Sequence, residues 1–333
     1  MGGIFTSMFL NGYNKIITLG KRRQPHGIPE NERVKKKMFT NINHRKRGLV
    51  IGINYTPSSQ QKDHLNGCVK DMSNLKMFLK QKCFFSRWQL TSLENGQATR
   101  DRIIAELLKL VSYSYDQPGA ELWFSYSGHG SSKHSFFRWN NISDVICPYD
   151  CDKNGIIDDE WLHNHFIHAL HPKTKLFILM DCCNAGSNLK LPFCFNAGGK
   201  KNMCSEGSKD GYHSGYDGDD DEVGNISDGN DVSQTDDDNR CEMLDYKYNY
   251  DPENICSIVK LSGSRDNQTC SEYFDFSFNE YQGALTNAFL ELDQYNKLCD
   301  GLDYITDKLV ITHFTHHPVL TYSHKWGCDI SLL

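Results

Sequence analysis

The fold of this chain is decided by two stretches, which read Glu121-Leu-Trp-Phe-Ser-Tyr-Ser-Gly-His-Gly130 and Lys175-Leu-Phe-Ile-Leu-Met-Asp-Cys-Cys183. Each begins with a short apolar run, which is typical of a buried strand, and ends in a residue with a reactive side chain. In open α/β sheets, reactive groups gather at the carboxyl ends of the strands. The two stretches therefore predict a sheet that brings His129 and Cys183 to one edge.

Helical and strand-like patterns alternate on both sides of these stretches. Further strands are expected at 48–54, 88–93, 144–148 and 255–261, and helices at 65–79, 100–111, 158–170, 283–292 and 304–314. Strands that alternate with helices indicate an α/β fold, here a three-layer sandwich with a mostly parallel sheet flanked by helices.

The composition is that of a globular cytoplasmic protein. Of the 333 residues, 38% are hydrophobic and 23% are charged, and no run approaches the roughly 18 apolar residues of a membrane-spanning helix. We expect no secretory signal peptide, because the apolar run at the N-terminus is short and lacks a small-residue cleavage site. The 13 cysteines form no C-x-x-C pair, so we interpret them as reduced thiols.

Charge divides the chain into four parts. Residues 1–47 carry 11 Lys or Arg and two Glu, a local charge of +9, and are interpreted as a basic tail. A larger structured part spans 48–193, and a smaller one spans 252–333. Between them, 194–251 is predicted to be a disordered insertion, because it is rich in Gly, Asp, Asn and Ser and strongly acidic.

The chemistry of the two strand ends is that of a nucleophile and a base. His129 stands between two glycines, which would leave backbone room for a ligand to approach. A thiol at the end of a neighbouring strand can lose its proton to such a histidine, and the thiolate attacks carbonyl groups. A strand-end histidine or a buried cysteine alone is more often structural, so the interpretation depends on the pair.

The flanking motifs extend this interpretation to a family. They include Leu65-Asn-Gly-Cys-Val-Lys-Asp71, Tyr126-Ser-Gly-His-Gly130, Asp181-Cys-Cys-x-x-Gly-Ser187, Leu261-Ser-Gly-Ser-Arg-Asp-Asn-Gln-Thr269 and Gly283-Ala-Leu-Thr286. In this order they resemble the metacaspases, which are caspase-like cysteine peptidases. The resemblance implies a caspase-like fold, proteolysis and a part in programmed cell death. Self-cleavage is expected within the insertion 194–251, because a flexible segment is easily cut and this one contains Lys200, Lys201, Lys209, Arg240 and Lys247.

The resemblance assigns the catalytic roles. It makes Cys183 the nucleophile and His129 the general base and acid, with the neighbouring Cys182 pointing the other way along the strand. Backbone N–H groups of Gly130 and Cys183 would form the oxyanion hole. The family follows its nucleophile with His-Ser-Gly, whereas this chain has Asn184-Ala-Gly186, which changes no reacting group.

The resemblance also implies an acidic pocket for the substrate residue before the cut. The matching positions are Cys68, Asp71, Ser127, Asp181 and Asp266. Carboxylates in a closed pocket select a cationic side chain, so the expected partners are proteins or peptides cut after Arg or Lys. A rival function is that of a catalytically weak pseudo-protease acting as a scaffold, against which the intact dyad and pocket carboxylates argue.

The sequence lacks some of the acidic residues that a calcium site needs. We therefore expect that no cofactor is required. Asp158 and Asp159 match two of the four acidic positions with which many family members bind the ion. The loop 131–140 carries no carboxylate, and Lys190 stands at the fourth position, whereas calcium takes 6–8 oxygen ligands. The segment 150–158 resembles part of an EF-hand loop, but an Asp- and Asn-rich turn explains it as well.

The tail offers two kinds of partner. Met1-Gly-Gly-Ile-Phe-Thr6 fits the pattern for N-myristoylation at Gly2, and the basic residues behind it could add the second signal that membrane contact needs. The clusters 35–37 and 45–47 leave nuclear or nucleic-acid binding as an alternative, although we expect no nucleic-acid partner. We expect a monomer.

Overall fold

The structure is a computed structural model, and it describes most of the chain from Arg45 to His324. The described residues are 45–55, 64–134, 142–183, 189, 191–195, 241–243, 255–264, 272–275, 279–292, 298–312, 314 and 317–324. The tail to residue 44, Lys190 and Asp266 lie outside them.

Strands and helices alternate through these residues. The strands are β1 (Lys46–Gly52), β2 (Leu90–Glu94), β3 (Glu121–Ser127), β4 (Gly130–His134), β5 (Ile142–Ile146), β6 (Ile157–Asp158), β7 (Lys175–Asp181), β8 (Phe193–Phe195), β9 (Cys241–Met243), β10 (Ser257–Ser262), β11 (Glu272–Asp275), β12 (Glu280–Gly283) and β13 (Val319–Tyr322). The helices are α1 (Cys68–Gln81), α2 (Arg100–Asp116), α3 (Cys151–Asn154), α4 (Asp159–Trp161), a π-helix (Leu162–Ile167), α5 (Ala284–Phe289) and α6 (Leu298–Ile311), with short 3₁₀ turns at Arg87–Gln89 and Asn95–Gln97.

One eight-stranded sheet organises the described residues. Its order is β2-β1-β3-β7-β10-β13-β8-β9. The first five strands are parallel, and β13, β8 and β9 each pair antiparallel with the strand before them in this order. The mostly parallel α/β sheet that the sequence predicts is therefore confirmed.

Each strand of the parallel part contributes side chains to two hydrophobic cores, one on each face of the sheet. In β1, Leu49 and Ile51 point into a core with Ile103 of α2, which also contains residues of the π-helix. Val50, between them, points into the opposite core with Leu75 of α1, which also contains residues of α5 and α6. Burial on both faces explains why these strands read as continuous apolar runs.

The segment predicted as a helix over 158–170 is more varied than expected. It begins with β6 and the single turn α4 and continues as a π-helix. The wider turns of the π-helix allow Leu162, Phe166 and Ile167 to be buried together in one core. Sequence periodicity does not distinguish this arrangement from an ordinary helix.

Two segments of the predicted disordered insertion, 194–195 at its start and 241–243 within it, form strands instead. Cys194 and Phe195 belong to β8 and are buried, and β9 pairs with β8 through Phe195 and Cys241. Cys194 is in a disulfide bond, so the expectation that every cysteine is a thiol is wrong at this position. Short strands of this kind gain order from their neighbours in the sheet, which composition alone cannot reveal.

The predicted tail of residues 1–47 also ends too late. Lys46 begins β1, where its ammonium lies 3.1 Å from a Glu121 carboxylate oxygen and donates to the Cys83 carbonyl. The guanidinium of Arg47 donates to the Trp88 carbonyl at 2.7 Å. All three basic residues of the 45–47 cluster therefore make contacts with the rest of the fold, although Arg45 and Arg47 are exposed.

Within the described part of the chain, no helix is both long and apolar enough to cross a bilayer.

Candidate active site

The two reactive strand ends lie side by side because β3 and β7 are paired. The parallel register ends with Ser127 opposite Asp181, and the Gly128 N–H reaches the Asp181 carbonyl at 3.4 Å. His129 and Cys183 each lie two residues beyond this last pair. The pairing thus carries both residues to the same point on the edge of the sheet.

The contact between the two segments is close. A Cβ atom added at Gly130 would lie 2.1 Å from the Cys183 carbonyl oxygen and 3.3 Å from the Cys182 sulfur. No side chain can occupy that space, so glycine at this position allows the histidine segment to touch the cysteine segment. The two backbones proposed for the oxyanion hole, those of Gly130 and Cys183, are therefore adjacent.

The two neighbouring cysteines differ in burial. Cys182 is 1% exposed and belongs to the core on the α2 face, whereas Cys183 is only half-buried. The Ser264 hydroxyl, just beyond β10, donates to the Cys182 carbonyl at 3.2 Å. Cys183 is therefore the more accessible thiol, on a turn that is held from both neighbouring strands.

Glycine before the histidine also has a structural reason. A Cβ at Gly128 would lie 2.7 Å from the Tyr126 hydroxyl and 3.2 Å from the Tyr55 hydroxyl. The expectation that both glycines leave room for a ligand therefore needs correction. The space that a side chain would take is filled at both positions by the protein itself.

Four of the five predicted pocket residues come together beside this edge. Asp71, in the first turn of α1, accepts a hydrogen bond from the Ser127 hydroxyl at 3.0 Å. Both of its carboxylate oxygens lie 3.0 Å from the Gly283 N–H. Cys68 is buried one turn earlier in the same helix. Asp266 lies outside the described residues.

Asp181 completes the cluster from the end of β7. It accepts hydrogen bonds from the Thr286 N–H at 2.9 Å and from the Thr286 hydroxyl at 2.7 Å. A Cβ at Gly283 would lie 2.3 Å from an Asp181 oxygen and 2.6 Å from an Asp71 oxygen. The two carboxylates thus converge on one glycine, which must be glycine for both to fit.

A further carboxylate, that of Glu272 in β11, joins the cluster. It accepts hydrogen bonds from the N–H groups of Asn66 and Gly67, at 2.9 and 2.7 Å, ahead of α1. The Cys68 sulfur lies 3.6 Å from a Glu272 oxygen. A carboxylate at the start of a helix is stabilised by the helix dipole, so Glu272 both anchors α1 and adds negative charge beside Cys68.

Burial and like charge set the ionisation of this cluster. Burial raises the pKa of the Asp71 carboxyl well above its usual value, and the nearby Asp181 carboxylate raises it further. Burial likewise raises the pKa of the Cys68 thiol, together with the charges of Asp71 and Glu272. A cation entering the cluster would reverse these shifts, because it favours the charged carboxylates.

The calcium positions do not form a matching set of ligands. Asp158 uses one carboxylate oxygen to accept the Trp161 N–H at 2.9 Å, and Asp159 is 4% exposed. Among the described residues, no group of three or more His, Cys, Asp or Glu side chains could share a metal ion. Two carboxylates fall short of the 6–8 oxygen ligands that calcium takes.

The segment that resembles an EF-hand loop is used as a structural turn. One Asp150 oxygen accepts the Arg100 N–H at 2.8 Å, at the start of α2, and the other accepts the Asn154 side-chain amide at 2.6 Å. Gly155 follows with a φ of +82°. The turn interpretation therefore explains the acidic residues here.

Several residues of the site were not predicted. Tyr55 and Tyr126 surround His129, and Ser264, Glu272, Gly283 and Thr286 hold the two neighbouring segments. Tyr126, Ser264, Gly283 and Thr286 fall in motifs that the sequence analysis quoted without giving these residues a role. Glu272 carries no local signal, because its function depends on contacts with distant parts of the chain.

The chain is similar to known proteins in sequence and in fold. Residues 46–192 match the family model described as metacaspase, peptidase C14 domain. Metacaspase-1 of Debaryomyces hansenii is 28% identical, with the match covering 89% of this chain and 68% of that protein. Metacaspase-1B of Aspergillus niger is 28% identical, with coverage of 92% and 71%. A solved Geobacter sulfurreducens protein has the same fold, with a TM-score of 0.53 at 14% identity over 86% of this chain and 98% of that one.

These matches confirm the resemblance that the motifs indicate. Residues 46–192 thus match the metacaspase peptidase C14 domain, and most of the chain is similar to metacaspases at 28% identity.

Proposed function

We propose that this peptidase cleaves protein substrates after arginine or lysine, with Cys183 as nucleophile and His129 as general base and acid. The proposal rests above all on the contact between Gly130 and the Cys183 carbonyl, which brings the two reactive segments together. The half-buried position of Cys183 supports it, because a nucleophile must be reached by the substrate.

The chemistry follows from these positions. His129 takes the proton of the Cys183 thiol, and the thiolate attacks the carbonyl carbon of the scissile bond. The N–H groups of Gly130 and Cys183 stabilise the negative oxygen that develops. His129 then gives its proton to the leaving amine, and water hydrolyses the thioester that remains.

Loss of either member of the dyad should abolish cleavage. We expect Cys183→Ala and His129→Ala to lower kcat/KM on a fluorogenic peptide ending in arginine by at least about a thousandfold. The matched control is Cys182→Ala, which removes a thiol one residue away from the proposed nucleophile.

Covalent labelling with an electrophilic substrate analogue identifies the nucleophile independently of the activity measurements. An electrophilic peptide carrying arginine should add its mass to Cys183, as located by tandem mass spectrometry. Full activity in Cys183→Ala together with loss in Cys182→Ala would reverse the assignment. An absence of turnover and labelling in the folded wild type would favour the scaffold function instead.

Specificity for a basic residue is supported by the charge of the pocket cluster. Asp71 and Asp181 are both nearly fully buried, and the hydrogen bonds described for them come from neutral N–H and O–H groups. A substrate cation would relieve the repulsion between the two carboxylates. The charge-assisted hydrogen bonds that form would favour arginine, whose fork-shaped guanidinium matches a carboxylate.

Neutralising one carboxylate should weaken binding of the basic residue selectively. Asparagine has the shape of Asp71, and its single carbonyl oxygen can still accept from Ser127 and Gly283 while the charge is removed. We therefore expect Asp71→Asn to lower kcat/KM for an arginine peptide about 10- to 100-fold. The same peptide with citrulline, the neutral analogue of arginine, should be affected much less. Asp101→Asn, which alters an exposed carboxylate on α2, is the charge control.

The pH dependence should have the matching sign. Since the pKa of Asp71 is raised, its negative charge is lost on acidification at a higher pH than for an ordinary aspartate, so KM for arginine peptides should rise there. A peptide library cleaved mainly after aspartate would contradict the specificity.

Self-processing is supported by the position of basic residues between β8 and β9. Lys200, Lys201, Lys209 and Arg240 lie in the sequence between these strands. The strands themselves are paired, and β10 and β13 of the small part pair with β7 and β8 of the large part. A cut between β8 and β9 would leave two fragments joined through the sheet.

Wild-type protein stored after purification should therefore acquire cuts after one or more of these four residues. Cys183→Ala protein should stay intact, and the two wild-type fragments should elute together from a sizing column. Intact-mass spectrometry measures both species. Identical cuts in the Cys183→Ala protein would mean that another protease made them.

Activity should not require calcium, since the residues at the family's calcium positions do not fit the ion. We expect the rate in excess chelator to be within about twofold of the rate in millimolar calcium, because the site lacks the ligand number that calcium requires. Lys190→Asp restores a carboxylate in the sequence and is the informative variant: its activity should depend on calcium more than that of the wild type. A large activation of the wild type by calcium would refute the proposal.

The tail and its partners stay predictions. Gly2 and the basic cluster at 35–37 lie outside the described residues, so myristoylation and membrane contact rest on the sequence. The contacts of Lys46 and Arg47 with the rest of the fold support the absence of a nucleic-acid partner. A cytoplasmic monomer is the state we propose.

A further inference from the structure

Two buried tyrosines enclose the backbone of His129. Tyr55, just beyond β1, is 0% exposed, and Tyr126, in β3, is 1% exposed. Their hydroxyls lie 3.0 Å apart. The family match and the proposed dyad give neither residue a role, yet both lie against the histidine segment.

Each hydroxyl makes one bond to His129. The His129 N–H donates to the Tyr55 hydroxyl at 3.1 Å, and the Tyr126 hydroxyl donates to the His129 carbonyl at 2.8 Å. Both backbone groups of the histidine are therefore bound by phenols. This arrangement fixes the backbone from which the imidazole projects.

The same hydroxyls bind a second backbone position, Cys147, at the end of β5. Tyr55 donates to the Cys147 carbonyl at 2.5 Å, and the Cys147 N–H donates to Tyr126 at 3.2 Å. The two hydroxyls also form a hydrogen bond with each other, and the Tyr126 hydroxyl lies 3.0 Å from the Cys147 carbonyl, so its proton is shared between acceptors. We call the four bonds to the His129 and Cys147 backbones the phenol clamp.

The ring of Tyr55 also contacts the imidazole. The two ring centroids are 4.5 Å apart, with their planes tilted by 32°. An aromatic face at this distance favours a cationic partner, so it would stabilise the imidazolium that forms when His129 takes a proton.

Tyr55 adopts a costly backbone conformation to make these contacts. Its φ is +50°, in the left-handed region that tyrosine rarely occupies. Such conformations persist where surrounding contacts enforce them, and they cluster at functional sites. The backbone thus gives a second, independent sign that the position of this side chain matters.

The clamp does not change its charge during the reaction. Burial raises the pKa of both phenols well above the ordinary value for tyrosine. Other titratable groups near Tyr55 are Cys68, Cys147 and His64, which contacts the Tyr55 carbonyl. Burial raises the pKa of the Cys68 thiol, and a hydrogen bond with Cys151, together with burial, raises the pKa of the Cys147 thiol. The hydroxyls therefore remain neutral donors and acceptors where the dyad works.

We propose that Tyr55 and Tyr126 are positioning residues, which hold His129 in reach of Cys183 through the phenol clamp. The inference rests on the proposed dyad and deepens it. The clamp binds the His129 and Cys147 backbones, whereas the proposed substrate carboxylates, Asp71 and Asp181, have other hydrogen-bond partners, so loss of the clamp should affect the chemical step more than binding.

Removal of one hydroxyl tests this separation. Tyr55→Phe keeps the ring and removes two bonds of the clamp, and Tyr126→Phe removes the other two. We expect each to lower kcat about 10- to 100-fold with KM changed less than about threefold, because a small misplacement of a reacting group costs rate and leaves binding intact. The double variant should lose little more than either single one, since the four bonds act as a unit.

The matched control is Tyr322→Phe. Tyr322 is 0% exposed in β13 and belongs to the core on the other face of the sheet. This variant also removes a buried hydroxyl, so it reports what loss of stability alone does to the rate. Its kcat should equal that of the wild type even where its Tm falls.

A second readout follows Cys183 directly. The rate at which iodoacetamide alkylates Cys183, measured by tandem mass spectrometry against pH, reports how well His129 stabilises the thiolate. In Tyr55→Phe and Tyr126→Phe the rise of this rate should move to higher pH, towards the value of about 8.5 of an unassisted cysteine. In the His129→Ala background the same substitutions should cause no further shift.

The outcomes separate the two proposals. Wild-type activity in His129→Ala would overturn the dyad itself. An inactive His129→Ala together with wild-type kcat and alkylation profiles in both phenylalanine variants would overturn the clamp alone. The clamp would also be overturned if the phenylalanine variants shifted the pH profile of alkylation even in the His129→Ala background. The same holds if their loss of kcat were no greater than that of Tyr322→Phe at equal Tm.

Discussion

The pairing of β3 with β7 is the constraint on which the site depends. Side chains alternate along a strand, so a slip of one residue would turn one partner's whole set to the opposite face. The observed register ends with Ser127 opposite Asp181, which carries both reactive residues past the edge together. The glycine contact at Gly130 depends on the same register, since it requires the Cys183 carbonyl at that height. Packing on both faces of the sheet holds this register, and the register in turn fixes the distance between the segments that carry His129 and Cys183.

The pocket cluster joins the two parts of the chain. Its carboxylates come from Asp71 and Asp181 of the large part, whereas the N–H groups that bind them come from Gly283 and Thr286 of the small part. Two buried carboxylates would be costly without such donors, because unpaired charge in a protein interior is strongly unfavourable. The carboxylate cluster therefore contributes to the association of the two parts, together with the pairing of β10 with β7 and of β13 with β8.

What the sequence could predict follows the range of the interactions. Long apolar runs and helical periodicity predicted the parallel sheet, and the resemblance to the metacaspases implied that Asp71, Ser127 and Asp181 lie in one site. Short strands such as β8 and β9, and the π-helix, depend on tertiary partners and have no distinctive pattern. Glu272 is separated from Asn66 by 206 residues, so no local signal connects it with the site. The sequence analysis singled out Gly128 and Gly130 correctly, but it expected a ligand in the space beside them, whereas other atoms of the protein fill that space.

Gly128 and Gly130 determine which chemical groups lie next to the two reactive segments. At Gly128 the missing side chain makes room for phenol hydroxyls, and at Gly130 for a carbonyl group. The groups that fill these two spaces are hydroxyls and a backbone carbonyl, which carry no charge. Close backbone packing at the two glycines therefore places neutral groups next to the proposed dyad.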